Sequence, residues 1–247
     1  MNIFAIMRSV KKSRAFKGIR PYLNLLYYDP GNIIIRQDTF DTVSVDRFSF
    51  HMSDQIDSLQ RVIHNPWFEG VRETDIVLDI GANIGAITIP LAKIAKKTYA
   101  VEPLFIRELS DNIYLNHLHR KVSIIPYAIG EQTKPQEVEF SSKKAIVKFK
   151  TFAQLLKDIN KQVDFIKIDG EGCEWDIKPE QLEGIREIRI EFHLRRSHKL
   201  DDKVKLARYM RWFQDNNYEV HKEWGKTPLC VPFTACLVLR ATKKETS

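Results

Sequence analysis

From about residue 73 onward, apolar runs and amphipathic helical segments alternate along the chain. The run Ile76–Ile80 is apolar except for Asp79, which is typical of a strand buried on both faces of a parallel sheet. Strands that alternate with helices predict a doubly wound α/β sheet over residues 71–247. The last two strands are joined by a short turn-rich connector, which predicts that they form an antiparallel pair at one edge of the sheet, with an antiparallel edge strand.

This pattern divides the chain into a regular part and a less regular extension before it. The predicted strands are 76–80, 98–101, 122–125, 163–168, 187–192, 218–222 and 234–239. The predicted helices are 86–95, 107–118, 151–159 and 203–216, with a hairpin excursion over 136–149. Residues 1–70 predict a small α/β extension, with strands near 33–35 and 42–50 and a helix over 53–69.

The positive charge of the chain is concentrated at its beginning. Residues 1–20 contain six basic residues and no acid, so they carry +6 of the net charge of +7. Ile3, Met7 and Val10 lie on one face of a predicted helix there, beside its basic face. We expect this helix either to pack on the body of the protein or to contact an anionic surface such as a membrane. The rest of the chain is nearly neutral, which makes a nucleic-acid partner the less favoured alternative.

Two further features bear on the compartment. The chain has three cysteines and no C-x-x-C pair, which argues against a disulfide framework and a zinc site and favours a reducing environment. No apolar run reaches the ~20 residues that a membrane-spanning helix needs. The sequence therefore predicts a cytoplasmic protein, with peripheral membrane contact through residues 1–20 as an open alternative.

A glycine-containing turn follows the first strand of the predicted sheet. Asp79 lies near the end of that strand, and Gly81, Asn83 and Gly85 form the turn into the first helix. Glycines at this place permit a tight turn and a close backbone approach to a ligand. The spacing G-x-x-x-G differs from the G-x-G-x-x-G of dinucleotide sites. An acid directly before it suits a cationic ligand better than a pyrophosphate, which it would repel.

An acid also ends the second strand. Glu102, followed by Pro103, stands where a carboxylate can accept hydrogen bonds from both ribose hydroxyls of a nucleoside. We therefore expect a nucleoside-containing cofactor, with its ribose at Glu102 and its cationic end near Asp79. The predicted cofactor-binding residues are Asp79, Gly81, Asn83, Gly85, Glu102, Pro103 and Ala128.

Polar side chains cluster after the fourth and fifth predicted strands. Asp169, Glu171 and Glu174 follow the fourth strand, and Glu191 and His193 close the fifth. We expect them to converge, because open α/β sheets bind ligands at the carboxyl ends of their strands. His193 is the expected base for a hydroxyl proton, since the pKa of imidazole lies near neutrality. Asp169 and Glu171 can orient that hydroxyl or bind a hard cation such as Mg²⁺, and Glu174 is expected to cap the next helix.

Several of these segments resemble one enzyme family. Residues 77–85 and 101–103 are similar to the first two motifs of class I methyltransferases, and 112–116, 166–174 and 190–193 resemble the FkbM family of O-methyltransferases. The block K-I-D-x-E-G-x-E is the most specific part, although Gly170 stands where the family more often has a small apolar residue. The resemblance implies a Rossmann-like, mostly parallel seven-stranded sheet and S-adenosylmethionine as cofactor. It also implies methylation of a hydroxyl on a sugar, glycan or natural product.

Two other functions stay open from the sequence. One is an RNA methyltransferase that holds its substrate with residues 1–20, although the chain lacks the Asn/Asp-Pro-Pro-Tyr motif usual for methylating base amino groups. The other is a binding or scaffold protein with the same fold, and the acids and histidine named above argue against it. Residues 1–70 and 131–150 carry no motif, and we expect the determinants of the acceptor to lie in them.

Overall fold

The computed structural model describes most of the predicted sheet and its helices. The described residues are 35–37, 42–45, 47–51, 59, 67–140, 143–194, 199–225 and 235–244. The helix predicted over residues 1–20 and nearly all of the helix predicted over 53–69 lie outside them. Within these described ranges, no helix is long and apolar enough to cross a membrane.

The described elements follow the predicted order. The strands are β1 Ile35–Gln37, β2 Thr42–Val45, β3 Phe48–His51, β4 Ile76–Ile80, β5 Lys97–Val101, β6 Val122–Ile125, β7 Ala128–Ile129, β8 Gln136–Phe140, β9 Lys143–Val147, β10 Phe149–Lys150, β11 Phe165–Ile168, β12 Glu187–Leu194, β13 Tyr218–Gly225 and β14 Ala235–Lys243. The α-helices are α1 Thr88–Ile94, α2 Ile106–Leu115, α3 Phe152–Ile159 and α4 Lys199–Asp215. Short 3₁₀ helices span Cys173–Asp176 and Pro179–Leu182.

Seven strands form the central sheet, in the order β13-β14-β12-β11-β4-β5-β6. The neighbours from β12 to β6 pair in parallel, whereas β14 pairs antiparallel with both β12 and β13. This order confirms the doubly wound, Rossmann-like sheet expected from the sequence. The last two strands form the antiparallel pair expected at one edge, although β14, the strand that runs against the others, lies one position inside that edge. The connection through α4 places β13 two strand positions from β12, and β14 occupies the position between them.

Helices cover both faces of this sheet, since successive side chains of a strand point to opposite faces. On one face, Ile168 of β11 belongs to a buried cluster with Leu155 of α3 and Phe213 of α4. On the other face, Phe165 of β11 belongs to a cluster with Leu91 of α1. The helices on the two faces bury the strands along their length. A functional site is therefore expected at the carboxyl ends of the strands.

Strands β1 to β3 form a separate antiparallel sheet that packs on α2. The side chain of Asn116 accepts the N–H of Ser49 at 3.1 Å and donates to its carbonyl at 2.6 Å. Asn112, one turn earlier, accepts the N–H of His51 at 2.7 Å and donates to the carbonyl of Ile84 at 2.8 Å. Two amides of the family-like segment 112–116 therefore join this small sheet to the turn after β4.

The expectation drawn from the cysteines is wrong in one respect. Cys236 in β14 is disulfide-bonded, whereas Cys173 is free and buried. An odd number of cysteines leaves at least one thiol outside any disulfide, but it does not exclude a single disulfide.

Candidate active site

The turn between β4 and α1 lies against the end of β11. Gly81 has a φ of 75°, and a Cβ atom at this position would lie 1.8 Å from the backbone oxygen of Asp169. Glycine is therefore required for the turn to touch β11. Gly85 has a φ of 93°, and a Cβ atom there would lie 3.0 Å from Leu109 and 3.3 Å from Ile89. The sequence predicted that these glycines let the backbone approach a ligand closely. In the structure, their close contacts are with other residues of the protein.

Asp79 lies beneath this turn and has no exposed surface. Its Oδ2 accepts a hydrogen bond from Thr88 at 2.6 Å, and its Oδ1 lies 3.0 Å from the Nζ of Lys167. Lys167 is also buried, and its ammonium group donates to the carbonyls of Ile80 at 3.1 Å and Gly81 at 2.7 Å. Asp79 thus supports the turn from below through Lys167. Its position does not support the prediction that it faces the cationic end of a cofactor.

Glu102 follows β5 and lies beside the same turn. Its Oε2 accepts the N–H of Asn83 at 2.8 Å, and its Oε1 accepts the N–H groups of Leu104 at 2.7 Å and Phe105 at 3.0 Å. Burial raises the pKa of the Glu102 carboxyl, although these three donors oppose the shift. A carboxylate has about four lone-pair positions, so Glu102 can still accept a hydrogen bond from a ribose hydroxyl.

The remaining predicted cofactor residues lie around Glu102 and the turn. Asn83 and Pro103 are half-buried, and Asn83 has a φ of 51°. Ala128 lies in β7, which pairs with β10 outside the central sheet and packs against the 3₁₀ helix Cys173–Asp176.

The predicted hairpin, formed by β8 and β9, packs on the segment that follows Glu102. The Phe140 ring meets that of Phe105 edge to face, with the centroids 6.3 Å apart. Lys143 donates to the carbonyl of Leu104 at 3.3 Å and pairs with Glu108. These contacts place the hairpin next to the candidate cofactor residues.

Three predicted catalytic side chains meet at the carboxyl ends of β11 and β12. The Nε2 of His193 lies 3.4 Å from Oε2 of Glu171 and 3.7 Å from Oδ1 of Asp169. The histidine side chain is 4% exposed, and the Glu171 side chain is 38% exposed. Glu171 has a φ of 54° and Gly172 a φ of 121°, so the backbone turns sharply after Asp169. The structure therefore brings together the three residues proposed from the sequence.

Glu174 fixes the orientation of His193, a role that the sequence did not predict. Its Oε1 lies 3.1 Å from Nδ1 of His193 and accepts the backbone N–H of the same residue at 2.9 Å. Its Oε2 accepts the N–H of Gly172, just before the 3₁₀ helix, at 2.9 Å. The second contact agrees with the expected capping role. The first directs Nε2 of the imidazole toward the other two carboxylates.

The carboxylates around His193 change its protonation. Burial of the ring lowers its pKa, but the hydrogen bond and charge of Glu174 and the charges of Asp169 and Glu171 outweigh burial and raise the pKa to about 9. The imidazole is therefore mostly protonated at pH 7 and accepts a proton poorly by itself. The predicted role of His193 as a base requires the help of a neighbouring carboxylate.

Comparison with known proteins identifies the family. Residues 79–220, more than half of the chain, match the family model described as the methyltransferase FkbM domain. The chain belongs to the FkbM methyltransferase family. The matched methyltransferase domain contains Glu102, the glycine turn and the His193 cluster.

Individual relatives of this FkbM methyltransferase are distant. A protein of Methanosphaera stadtmanae named probable ribosomal RNA small subunit methyltransferase A is 29% identical, and the match covers 32% of this chain and 36% of that protein. The chain thus spans about a third of the length of that curated relative. The structure of precorrin-6y C5,15-methyltransferase from Geobacter metallireducens is 16% identical, with a TM-score of 0.47 and 81% and 95% of the two chains covered. An rRNA methylase from Streptococcus thermophilus is 11% identical, with a TM-score of 0.48 and 72% and 92% covered.

The residues of this FkbM methyltransferase fit its cofactor. Glu102 keeps an acceptor position for a ribose hydroxyl, and the turn at Gly81 and Asn83 is partly exposed beside it. The sulfonium of S-adenosylmethionine is positive, which suits an edge that carries several carboxylates. When bound, the cofactor supplies an electrophilic methyl group.

Proposed function

We propose that this methyltransferase acts on a hydroxyl oxygen of a sugar, glycan or natural-product acceptor. The observation that carries the proposal is the cluster of His193, Asp169 and Glu171 at the carboxyl ends of β11 and β12. The cluster adjoins the glycine turn, because Gly81 lies against the backbone of Asp169. An alcohol is a weak nucleophile, so an O-methyltransferase needs a group that takes up its proton beside the methyl donor.

The three side chains act as one proton-accepting unit. His193 lies within ionic contact of both carboxylates, so a proton taken up belongs to the coupled group rather than to a single residue. A carboxylate can accept the hydroxyl proton, since an oxygen that gains a methyl group becomes strongly acidic. Holding that oxygen in line with the sulfonium supplies a further part of the rate. A Mg²⁺ ion held by Asp169 and Glu171 is the alternative way to activate the hydroxyl.

An RNA acceptor is the second candidate. The relative from Methanosphaera stadtmanae is named as a ribosomal RNA methyltransferase, and residues 1–20 are strongly basic. The carboxylates of Asp169 and Glu171 at the candidate site favour a neutral acceptor instead, because they would repel a phosphate backbone.

Transfer of a labelled methyl group tests the proposal. Purified protein is incubated with labelled S-adenosylmethionine and a panel of sugars, glycans, small alcohols and RNA, and the methylated atom of the product is identified. We expect methylation of a hydroxyl oxygen of a sugar, a glycan or a small alcohol. Methylation confined to RNA, whether on a base or on a ribose hydroxyl, would contradict the proposal.

A histidine variant tests the site itself. With the acceptor found in this way, His193→Gln should lower kcat by ~10²–10⁴-fold, because it removes a member of the proton-accepting cluster. The affinity for S-adenosylmethionine should stay nearly unchanged, since Glu102 and the turn are intact. His221→Gln is the matched control, as His221 is an exposed histidine of β13. Activity of His193→Gln within a few-fold of the control would place proton removal elsewhere.

A further inference from the structure

The His193 cluster has the geometry of a metal site. One ligand atom each from Asp169, Glu171 and His193 lies within 4.8 Å of the others. The two distances from the imidazole Nε2 are 3.4 Å and 3.7 Å. Ligand atoms bound to one metal ion at ~2.1 Å are separated by roughly 3.0–3.4 Å in octahedral or tetrahedral geometry. Small rotations of the two carboxylates are therefore enough to close the cluster on an ion.

Glu174 gives the imidazole the support that metal-binding histidines have. Histidines that bind a metal usually donate their other ring N–H to a carboxylate, which fixes the tautomer and makes the free nitrogen a better ligand. The Nδ1 of His193 lies 3.1 Å from Glu174, and Glu174 has no exposed surface. Nε2 is thus the nitrogen that faces Asp169 and Glu171.

The cluster is also accessible from one side. Glu171 is 38% exposed, and a Cβ atom at the neighbouring Gly172 would meet no atom within 4 Å. An ion can reach the ligand atoms from this exposed side. A second group, formed by Glu191, His193 and Cys236, also lies within 4.8 Å. The sulfur of Cys236 is in a disulfide and is not available as a thiolate ligand.

We propose that Asp169, Glu171 and His193 bind a divalent first-row transition-metal ion, such as Zn²⁺ or Co²⁺, in preference to Mg²⁺. Imidazole nitrogen favours these ions, whereas Mg²⁺ prefers a shell of oxygen atoms and water. As a role in catalysis, the ion rests on the proposed function, because it lowers the pKa of an acceptor hydroxyl in contact with it. The binding itself is measurable without any acceptor.

Co²⁺ titration of the full-length, chelator-treated protein tests the site. Visible absorption in the absence of cofactor and acceptor should show saturable binding of a single ion with a nitrogen–oxygen ligand set. Zn²⁺ should displace the Co²⁺, and Mg²⁺ in large excess should not. Failure to saturate, or displacement by Mg²⁺ as readily as by Zn²⁺, would overturn the proposal.

Two variants locate the ion. His193→Gln removes a ligand, and Glu174→Gln removes the support behind it while keeping all three ligands. Each should weaken Co²⁺ binding by roughly 10–100-fold or more. Glu180→Gln, a surface change, is the control, and circular dichroism together with cofactor affinity verifies the fold. Binding by Glu174→Gln that equals the control would overturn the supporting role of Glu174.

Methyl transfer after metal removal separates this inference from the proposed function. Hydroxyl methylation that is undiminished in chelator would overturn the catalytic role of the ion and leave the proposed function intact. Saturable Co²⁺ binding by a protein that methylates no hydroxyl would support the metal site and overturn the proposed function.

Discussion

The central sheet carries a charge cluster at each end of its strands, and the two clusters are arranged differently. At the amino ends, three guanidinium groups meet an equal number of carboxylates. Arg189 and Arg186 both contact Glu187, Arg186 also contacts Asp75, and Arg240 contacts Glu69. Arg189 also donates to the carbonyl of Glu69. This end is held together by contacts within the protein.

At the carboxyl ends, carboxylates share their cations. Lys167 lies 3.0 Å from Asp79 and 3.8 Å from Asp169, and His193 contacts Asp169, Glu171 and a third carboxylate. Carboxylates that outnumber their cations can take up a further cation, whereas a cluster with equal numbers of both gains little from it. We infer that the amino end serves the fold, and that the carboxyl end is arranged for a cationic ligand.

Two variants that each remove one buried cation should have the largest effects on stability and should show how the two ends differ. Lys167→Met leaves Asp79 buried without its ammonium partner, and Arg189→Met removes the nearer of the two guanidinium groups that contact Glu187. Each should lower the free energy of unfolding by about 3–5 kcal/mol. Lys167→Met should also weaken cofactor binding, because the turn loses the bonds to the carbonyls of Ile80 and Gly81. Urea denaturation and titration calorimetry measure the two effects.

Arg189→Met is the control, since it should leave the cofactor affinity of the folded protein unchanged. Equal cofactor affinity in the two variants would show that the charge beneath the turn serves stability alone.

Thr88→Val is a milder version of the Lys167→Met change. It removes one hydrogen bond to Asp79 and should cost about 1–3 kcal/mol while the protein still folds.

Glu102→Gln tests whether Glu102 is the acid of the carboxyl end that binds the cofactor. The variant loses the charge of an acceptor that is expected to bind the ribose. Its binding free energy for S-adenosylmethionine should therefore weaken by about 1.5–3 kcal/mol, or roughly 10–150-fold in affinity. Calorimetry gives the affinity, with the exposed Glu180→Gln as the control. An affinity equal to that of the control would remove Glu102 from the cofactor site.

The fold was predictable because strands buried on both faces leave continuous apolar runs. β6 lies at its predicted bounds, Val122–Ile125, and the predicted helix over 203–216 is present as α4, Lys199–Asp215. The insertion of β14 between β13 and β12 was not predictable in the same way. An apolar pattern shows that a strand is buried, but it does not show which strands lie beside it.

The residues of the site were predictable from the sequence, but many of the contacts between their side chains were not. The carboxyl ends of parallel strands meet at one edge, so Asp169, Glu171 and His193 were expected together. The burial of Asp79 and the support from Glu174 depend on side chains far away in sequence, Lys167 and His193. Spacing along the chain carries no information about such contacts.

Gly170 stands where the resemblance to the family led us to expect a small apolar residue, and the structure supplies a reason for the glycine. A Cβ atom there would lie 2.4 Å from the Sγ of Cys173. The buried thiol therefore occupies the space that a small apolar side chain would otherwise fill. The two residues flank Glu171, so their packing tests whether the carboxyl end is held by close packing as well as by charge.

A double-mutant cycle on Gly170 and Cys173 should show the smallest effect, a coupling energy between two packed residues of the carboxyl end. Gly170→Ala should destabilise the protein by about 1–3 kcal/mol, because the added methyl group overpacks a filled space. Cys173→Ala removes the sulfur and makes room for that methyl group. The double variant should therefore be more stable than the sum of the single effects predicts, by about 1 kcal/mol. Urea denaturation of the four proteins gives this coupling energy. Strictly additive effects would show that the thiol moves aside, and that charge rather than packing fixes the loop beneath Glu171.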